Sequence, residues 1–240
     1  MTPLVRLVLV LALLALGMGY SARAGKLTTA ATWVGGALGV LIYLGAGFQG
    51  LAMLALFFGL GTAASAWKVR DKQHLGLAEA NKGRRTAGQV LANAGVAGLL
   101  GLLGWQDAAH ASFYSLLLAG SFAAATADTL SSELGNVYGS RYYNILTFRP
   151  DQRGLDGVVS LEGTLLGLAG SAGLAAAYCL GAGWGAAFWW LLLAGTAGNL
   201  TDSLLGATLE RRHYLGNNVV NGLNTLVGAL VAAGLAWAAK

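Results

Sequence analysis

The chain has 240 residues, of which 56% are hydrophobic and 10% are charged, and it contains 37 glycines. This composition excludes a water-soluble globular domain and a disordered chain, and it is typical of a protein that crosses a membrane several times. The formal net charge of +5 does not indicate nucleic-acid binding, because membrane orientation and an anionic leaflet account for the basic residues.

Eight apolar stretches predict an all-α bundle of eight transmembrane helices within one integral membrane domain, residues 1–240. The predicted spans are residues 4–20, 27–46, 49–67, 86–104, 111–130, 159–181, 184–207 and 218–238. Seven spans are the alternative, because the second stretch is rich in glycine and the seventh contains Asp202. The first stretch resembles a signal peptide, but the basic residues Arg23 and Lys26 that follow it favour a retained anchor.

The distribution of basic residues distinguishes the two counts. With eight spans, 13 of the 15 lysines and arginines lie on one side of the membrane, whereas seven spans would scatter them. The positive-inside rule makes that side cytoplasmic and places both termini outside. We therefore expect a multi-pass protein of the cell inner membrane, with its main cytoplasmic loops at residues 68–85 and 131–158.

The first three spans, residues 1–67, contain no acidic side chain. We expect them to form a scaffold, in which Gly35 and Gly39 allow helices to pack closely. Residues 68–240, with the remaining five spans, are expected to carry the functional site.

Basic residues come immediately before the fourth span. Lys82, Arg84 and Arg85 surround a glycine there, and the N-terminus of the helix that follows could bind phosphate. For the charges alone, an ordinary positive flank is the alternative. Arg85, Gln89 and Asn93 recur at every fourth position and form one stripe of that helix. A polar stripe that enters the membrane needs polar partners, which lipid does not supply.

Asp128 ends the apolar run of the fifth span, where a carboxylate is a functional-site hypothesis by default. The alternative is a helix-end residue that bonds to neighbouring serines. Ser132 shares the helical face of Asp128, whereas Glu133 lies roughly 140° away on an ideal helix. We expect Asp128 to be a metal ligand, and Glu133 either to join it after a break in the helix or to pair with an arginine. The long loop that follows could be a lid over a charged substrate or a solvated linker.

A second acid, Asp202, ends the seventh span and shares one helical face with Asn199, Ser203 and Glu210. Arg211 and Arg212 follow at once. The eighth span begins with a further polar stripe of asparagines, namely Asn217, Asn221 and Asn224.

The span directions bring these polar groups to one level, at the cytoplasmic edge of the bilayer. Five helices contribute: the fourth, sixth and eighth begin there, with Glu162 opening the sixth, and the fifth and seventh end there. Mg²⁺ prefers one or two carboxylates together with phosphate oxygens, so Asp128 and Asp202 are predicted to hold Mg²⁺ for phosphoryl transfer. The residues predicted to neutralise phosphate are Lys82, Arg84, Arg85, Arg211 and Arg212.

Other nucleotide and metal sites are excluded by their missing motifs. The chain has no P-loop and no dinucleotide fingerprint in a strand-turn-helix context. Its three histidines lack the spacing of zinc ligands.

Four phrases, residues 81–93, 127–135, 198–207 and 217–221, resemble an integral membrane family known as domain of unknown function 92. That family includes transmembrane protein 19 and a plant plastid phytyl-phosphate kinase, and the resemblance extends over about residues 25–238. It implies a kinase that converts an isoprenyl (phytyl or polyprenyl) monophosphate into the diphosphate, with a nucleoside triphosphate donor, CTP by analogy with related activities. The candidate catalytic residues are Asp128, Asp202 and Glu133. The candidate substrate- and phosphate-binding residues are Asn81, Lys82, Arg84, Arg85, Gln89, Asn93, Ser132, Asn199, Arg211, Asn217, Asn218 and Asn221.

Two other functions use the same polar residues. A transporter of lipid phosphates or ions is one, although transporters tend to place their sites at the membrane midplane. A cytidylyltransferase that makes a CDP-lipid is the other, and it would release pyrophosphate. The expected partners are the lipid bilayer, an isoprenyl phosphate and a nucleoside triphosphate; the sequence does not indicate an oligomeric state.

Overall fold

A computed structural model describes residues 2–77 and 83–239 of the chain. The helices of these two ranges are α1 (Pro3–Arg23), α2 (Thr29–Ala66), α3 (Val69–His74), α4 (Ala87–Gln106), α5 (Ala111–Tyr138), α6 (Leu161–Ala182), α7 (Ala186–Leu205) and α8 (Asn217–Ala238). A 3₁₀ turn, Ala108–His110, precedes α5, and a π-helical turn, Gly206–Glu210, follows α7. The short strands β1 (Tyr143–Asn144) and β2 (Val158–Val159) pair antiparallel.

Six of the helices in the described ranges are long and apolar enough to cross a membrane: α1, α2, α4, α5, α6 and α8. The helix α7, which carries Asn199 and Asp202, is not among them. The helix α2 has 38 residues, and its backbone leaves the helical region at Gly47, where φ is 58°. Glycine adopts this conformation without the steric cost of a Cβ, so α2 consists of two helices that coincide with the second and third predicted spans. The chain is an all-helical membrane bundle, while the count of eight spans and the side of the termini stay predictions.

The centre of the bundle is α5, which contacts α2, α4, α6, α7 and α8. Its residues from Leu116 to Ala127 are all buried, as expected for a helix that is apolar on every side. Small residues allow its neighbours to approach: a Cβ added to Gly120 would lie 2.7 Å from the carbonyl oxygen of Gly228 on α8. The end of α5, with Asp128, is therefore surrounded by other helices.

The glycines predicted to allow close packing in the first three spans lie at such contacts. Leu14 of α1 packs on Gly39 of α2, and Met18 packs on the neighbouring Gly36. Gly35 faces α4, where a Cβ would lie 3.9 Å from the side chain of Val90. The first half of α2 thus packs between α1 and α4.

Two helices differ from the sequence prediction. The short helix α3 lies within the predicted loop 68–85, and α5 continues to Tyr138 instead of ending near residue 130. The Tyr142 hydroxyl lies 3.0 Å from the carbonyl oxygen of Gly135 and 2.9 Å from that of Gly139. Gly139 is the C-cap of α5, and its N–H donates to the Gly135 carbonyl oxygen at 2.8 Å, so Tyr142 adds a second donor at the C-terminal end of the longer helix.

Candidate functional site

A cavity of about 330 Å³ lies at one end of the bundle, where α4 and α8 begin and α5 and α7 end. We call it the acid-lined cavity. Ten of the candidate site residues line it: Arg85, Gln89, Asn93, Asp128, Ser132, Glu133, Asn199, Asp202, Asn217 and Asn221. The structure therefore brings together most of the residues that the span directions placed at one level.

Asp128 on α5 and Asp202 on α7 lie side by side in this cavity. Their carboxyl groups both face the side chain of Asn221 on α8. The Asn221 amide lies between them, and the orientation that satisfies both acids places Nδ2 3.2 Å from Asp202 Oδ2 and 3.3 Å from Asp128 Oδ2. Their proximity is a property of the fold, while their roles in metal binding and catalysis stay predictions.

The packing of α5 against α7 explains why the two acids meet. A Cβ added to Gly198 of α7 would lie 2.5 Å from the Cβ of Ala124 on α5, so the helices are in close contact at these two small residues. Asp128 follows Ala124 by four residues, and Asp202 follows Gly198 by four residues. Four residues are about one turn, so each acid lies one turn beyond the contact point on its own helix.

The described lining of the cavity is strongly acidic. The carboxylates that line it are Asp128, Glu133, Asp156, Asp202 and Glu210. Within the described ranges, Arg85 is the one lysine or arginine among the lining residues. Burial and the neighbouring Asp156 carboxylate raise the pKa of Glu210 above its ordinary value. A cavity with this charge attracts a cation before it attracts a phosphate.

The paired acids fit Mg²⁺ by their chemistry. In the part of the chain that the structure describes, no group of three or more His, Cys, Asp or Glu side chains is arranged to hold a metal. Mg²⁺ does not require such a cage, because it is usually bound by one or two carboxylates together with waters and substrate phosphates. Asp128 and Asp202, joined by Asn221, supply that number of carboxylates.

Glu133 differs from the sequence prediction in its surroundings. The helix α5 does not break between Asp128 and Glu133, and the cation that pairs with Glu133 is Lys72 of α3, where the sequence predicted an arginine. Lys72 Nζ lies 2.5 Å from Glu133 Oε2, and the Ser65 hydroxyl donates to Glu133 Oε1 at 3.0 Å. Lys72 is only 2% exposed. In the sequence, Lys72 is one of the basic residues of the loop 68–85, and the positive-inside rule accounts for these without a partner.

Lys72 also closes the end of α2. Its Nζ donates to the carbonyl oxygens of Ala64 at 3.0 Å and Ser65 at 2.9 Å. These carbonyls belong to the last turn of α2, where a cation is favoured by the helix dipole. The ion pair therefore ties together α2, α3 and α5 beside the cavity.

The loop after α5 lies against the cavity. Residues 154–160 contribute to its lining, so this loop is not a purely solvated linker. Arg211 fixes the loop, because its Nη2 donates to Asp151 Oδ2 at 2.8 Å and its Nε donates to the Asp156 carbonyl oxygen at 2.7 Å. The same guanidinium holds the pKa of Asp151 below its ordinary value. Arg211 does not line the cavity, so the structure places it as a support of the loop instead of beside a phosphate.

Gly157 allows the loop to approach the π-helical turn after α7. Its φ is +71°, and an added Cβ would lie 2.3 Å from the Cβ of Ala207. We expect Gly157→Ala to displace the loop, because a left-handed alanine costs roughly 1–2 kcal/mol before the clash is counted. Limited trypsin digestion should then cleave at Arg149 or Arg153 faster than in the wild type. Gly216→Ala is the matched control, since a Cβ there meets nothing within 4 Å. Equal cleavage rates in both variants would contradict the proposed docking of the loop.

Gln89, Asn93 and Arg84 form hydrogen bonds with backbone groups of the protein. Gln89 Oε1 accepts from the Thr86 backbone at 2.8 Å and completes the N-terminal cap of α4, and Asn93 Nδ2 donates to the Gln89 carbonyl oxygen at 2.9 Å. Both also line the cavity. Arg84 donates to the Leu27 carbonyl oxygen at 3.4 Å and is not a lining residue.

One further candidate lies outside the cavity, and two are not among the described residues. Asn218 lies beside Gly88 at the start of α4 and is not a lining residue, and Asn81 and Lys82 lie outside the described residues. Glu162 accepts from the Ser140 hydroxyl at 2.6 Å, outside the cavity. The sixth span therefore contributes through Ser160, the N-cap of α6, and not through Glu162 as the sequence suggested.

Several lining residues were not among the predicted site residues, including Ser131, Tyr142 and Asp156. Asp156 is one of many polar residues in the loop, and nothing in its spacing marks it. The loop and the end of α7 are far apart in the sequence, so their proximity in this part of the site could not be predicted from residue spacing.

Comparison with known proteins supplies the family context. The model of the family described as integral membrane protein DUF92 matches residues 10–229. Protein VTE6, chloroplastic, from Arabidopsis thaliana is 36% identical over 202 residues, which are 81% of this chain and 61% of the relative. The chain thus spans about three fifths of that relative's length.

The chain covers a larger share of two microbial relatives. An uncharacterized membrane protein of Synechocystis is 37% identical over 210 residues, 85% of this chain and 79% of the relative. An uncharacterized membrane protein of Methanocaldococcus jannaschii is 34% identical over 204 residues, 80% of this chain and 78% of the relative. No solved structure matches the chain.

Proposed function

Because the chain belongs to the integral membrane protein family DUF92, we propose that it is an isoprenyl-monophosphate kinase. It transfers the terminal phosphate of a nucleoside triphosphate, with CTP as the first donor to test, to an isoprenyl monophosphate such as phytyl phosphate. The proposal includes eight spans in the cell inner membrane, both termini outside, and a site that faces the cytoplasm. The observation that carries it is the contact of Asp128 and Asp202 with one amide, that of Asn221.

The acceptor chemistry favours a metal-binding role for these acids over a role as general base. A phosphate monoester has its second pKa near 6, so the acceptor oxygen of an isoprenyl monophosphate carries no proton at about pH 7. The bond from the γ-phosphorus to the oxygen that bridges to the β-phosphate breaks. A new bond forms from that phosphorus to an oxygen of the lipid phosphate, and the nucleoside diphosphate leaves. Positioning and charge neutralisation are most of what this reaction needs.

Each side chain then has a defined task. Asp128 and Asp202 would hold Mg²⁺, and Asn221 orients both carboxylates through its amide. When bound, Mg²⁺ supplies positive charge to the phosphate oxygens. Arg85, which precedes α4, also lines the cavity and adds a positive charge beside the acidic residues.

The position of the cavity suits substrates of two kinds. It lies at one end of the helices, where their polar residues collect, and not halfway along them. A lipid phosphate and a water-soluble nucleotide can both reach the membrane edge. This also separates the kinase from a transporter, whose site is usually near the midplane.

The direct test is an assay of the purified protein in nanodiscs with Mg²⁺, CTP or ATP, and phytyl or geranylgeranyl phosphate. We expect an isoprenyl diphosphate together with the nucleoside diphosphate, detected by mass spectrometry, and no product when EDTA removes Mg²⁺. Release of pyrophosphate with a CDP-lipid would instead indicate the cytidylyltransferase. Absence of diphosphate for every donor and lipid, with a cooperative thermal unfolding transition, would refute the kinase.

A cation transporter is the second candidate, because the described lining carries five carboxylates and one arginine. It predicts flux of Mg²⁺ or another cation into proteoliposomes without any nucleotide. A folded protein that shows such flux and makes no diphosphate would favour this function.

A further inference from the structure

A second cavity, of about 770 Å³, lies between α1, α2 and α4, in the segment expected to be only a scaffold. We call it the apolar cavity. Leu14 and Met18 of α1, Phe57 and Ala63 of α2, and Val90 of α4 are typical of its walls. Its volume falls in the range of roughly 300–1,000 Å³ that is usual for small-molecule sites, and such sites are mostly apolar.

The two cavities share one wall. The polar stripe, which consists of Arg85 just before α4 and of Gln89 and Asn93 on α4, lines both the acid-lined cavity and the apolar cavity. A molecule with a charged head and an apolar tail could therefore lie with its head among Arg85 and the acids and its tail across the stripe.

The apolar cavity is also long. On the second half of α2 its lining residues run from Phe48 to Ala66, about 27 Å at 1.5 Å per residue. Near the other end of this stretch, Ser65 contacts Glu133 at the edge of the acid-lined cavity. The cavity thus extends from the polar site along most of the length of a membrane-spanning helix.

We infer that the apolar cavity binds the hydrocarbon chain of the isoprenyl phosphate while its phosphate lies in the acid-lined cavity. This inference rests on the proposed kinase function and assigns the substrate's tail to α1, α2 and α4. Lipid tails are as apolar as the walls of this cavity, so van der Waals packing of the chain against those walls favours binding, and such packing needs no polar side chain. The first three spans then select the length of the substrate, although they contain no acid.

Two glycines allow the cavity to be filled without a clash. Gly17 of α1 and Gly59 of α2 both line it, and a Cβ added at either position meets nothing within 4 Å. Gly59→Leu and Gly17→Leu should therefore fold and should occupy space meant for the chain. Gly234→Leu on α8 is the matched control, because a Cβ there also meets nothing within 4 Å and Gly234 lines neither cavity.

The experiment compares geranyl, farnesyl and geranylgeranyl monophosphates with the three variants and the wild type. For Gly59→Leu and Gly17→Leu we expect KM for the geranylgeranyl substrate to rise about tenfold or more, while KM for the geranyl substrate stays within about twofold. The control should keep the wild-type preference. Equal KM values in the filled variants and the control, for every length, would overturn the inference while leaving the kinase intact.

A binding measurement separates this inference from the proposed function. Geranylgeranyl monophosphate, added without nucleotide, should raise the thermal unfolding midpoint of the wild type and of Gly234→Leu but not of the filled variants. If no diphosphate is ever formed but this pattern holds, the kinase is refuted and the chain site stands. If all lengths raise the midpoint equally in all proteins, the phosphate alone is recognised and the chain site is refuted.

Discussion

Asp128→Asn and Asp202→Asn should each lower kcat for phosphoryl transfer by at least about a thousandfold, because a bound metal contributes several kcal/mol to this kind of reaction. Asparagine keeps the shape of the side chain and removes the charge that binds Mg²⁺. The two acids lie on different helices and share the Asn221 amide, so neither can replace the other. The measurement is diphosphate formation at saturating nucleotide and lipid phosphate.

The thermal stability of these variants is an independent measurement, and we expect it to rise where activity falls. Without Mg²⁺, the wild type holds two acidic groups against one amide, and such proximity disfavours the ionisation of both. In EDTA, both variants should therefore unfold at a higher temperature than the wild type, and Mg²⁺ should raise the midpoint of the wild type alone. Asp107→Asn, at the turn before α5 and remote from the acid-lined cavity, should change neither activity nor the response to Mg²⁺. A wild type that Mg²⁺ does not stabilise would contradict the metal site.

Much of this site could be predicted from the order of the spans. Once α5 and α7 are known to end on the same side, Asp128 and Asp202 must lie at similar depth. Depth alone does not make them neighbours, because their proximity depends on the contact of Ala124 with Gly198, the small residues one turn before each acid. Small residues allow two helices to approach closely, but in a chain with 37 glycines they do not by themselves select which helices pack together.

Other parts of the site depend on contacts between segments that are distant in the sequence. Lys72 reaches Glu133 across 61 residues, and Arg211 reaches Asp151 across 60. A lysine in a basic loop and an arginine after a span both look like ordinary positive-inside residues. Only the folded chain shows that one is buried and that the other fixes a loop.

The apolar cavity was missed for a different reason. The prediction of a scaffold for residues 1–67 rested on the absence of acidic residues, and this absence gives no information about apolar cavities. A hydrocarbon chain is recognised by the shape of apolar walls, and shape is set by the break at Gly47 and by the spacing of α1 from the second half of α2. Hydropathy does not distinguish an apolar residue that lines a cavity from one that lies in a packed core.

Lys72→Met should lower the free energy of unfolding by about 3 kcal/mol or more, because it leaves Glu133 without its cation in a largely buried position. It also leaves the last carbonyls of α2 without their donor. Thermal and denaturant unfolding in detergent measure the loss. Arg70→Met, an exposed position on the same short helix, is the control and should be nearly neutral.

The double variant Lys72→Met with Glu133→Gln separates the structural role of Glu133 from the predicted catalytic one. Removing both charges takes away the unpaired carboxylate, so the double variant should recover most of the stability that Lys72→Met loses. The acceptor phosphate needs no general base, and Glu133 already has Lys72 and Ser65 as partners. We therefore expect the refolded double variant to keep kcat within about tenfold of the wild type, since its metal ligands are intact. A stable double variant with kcat as low as that of Asp202→Asn would instead assign Glu133 to the reacting groups.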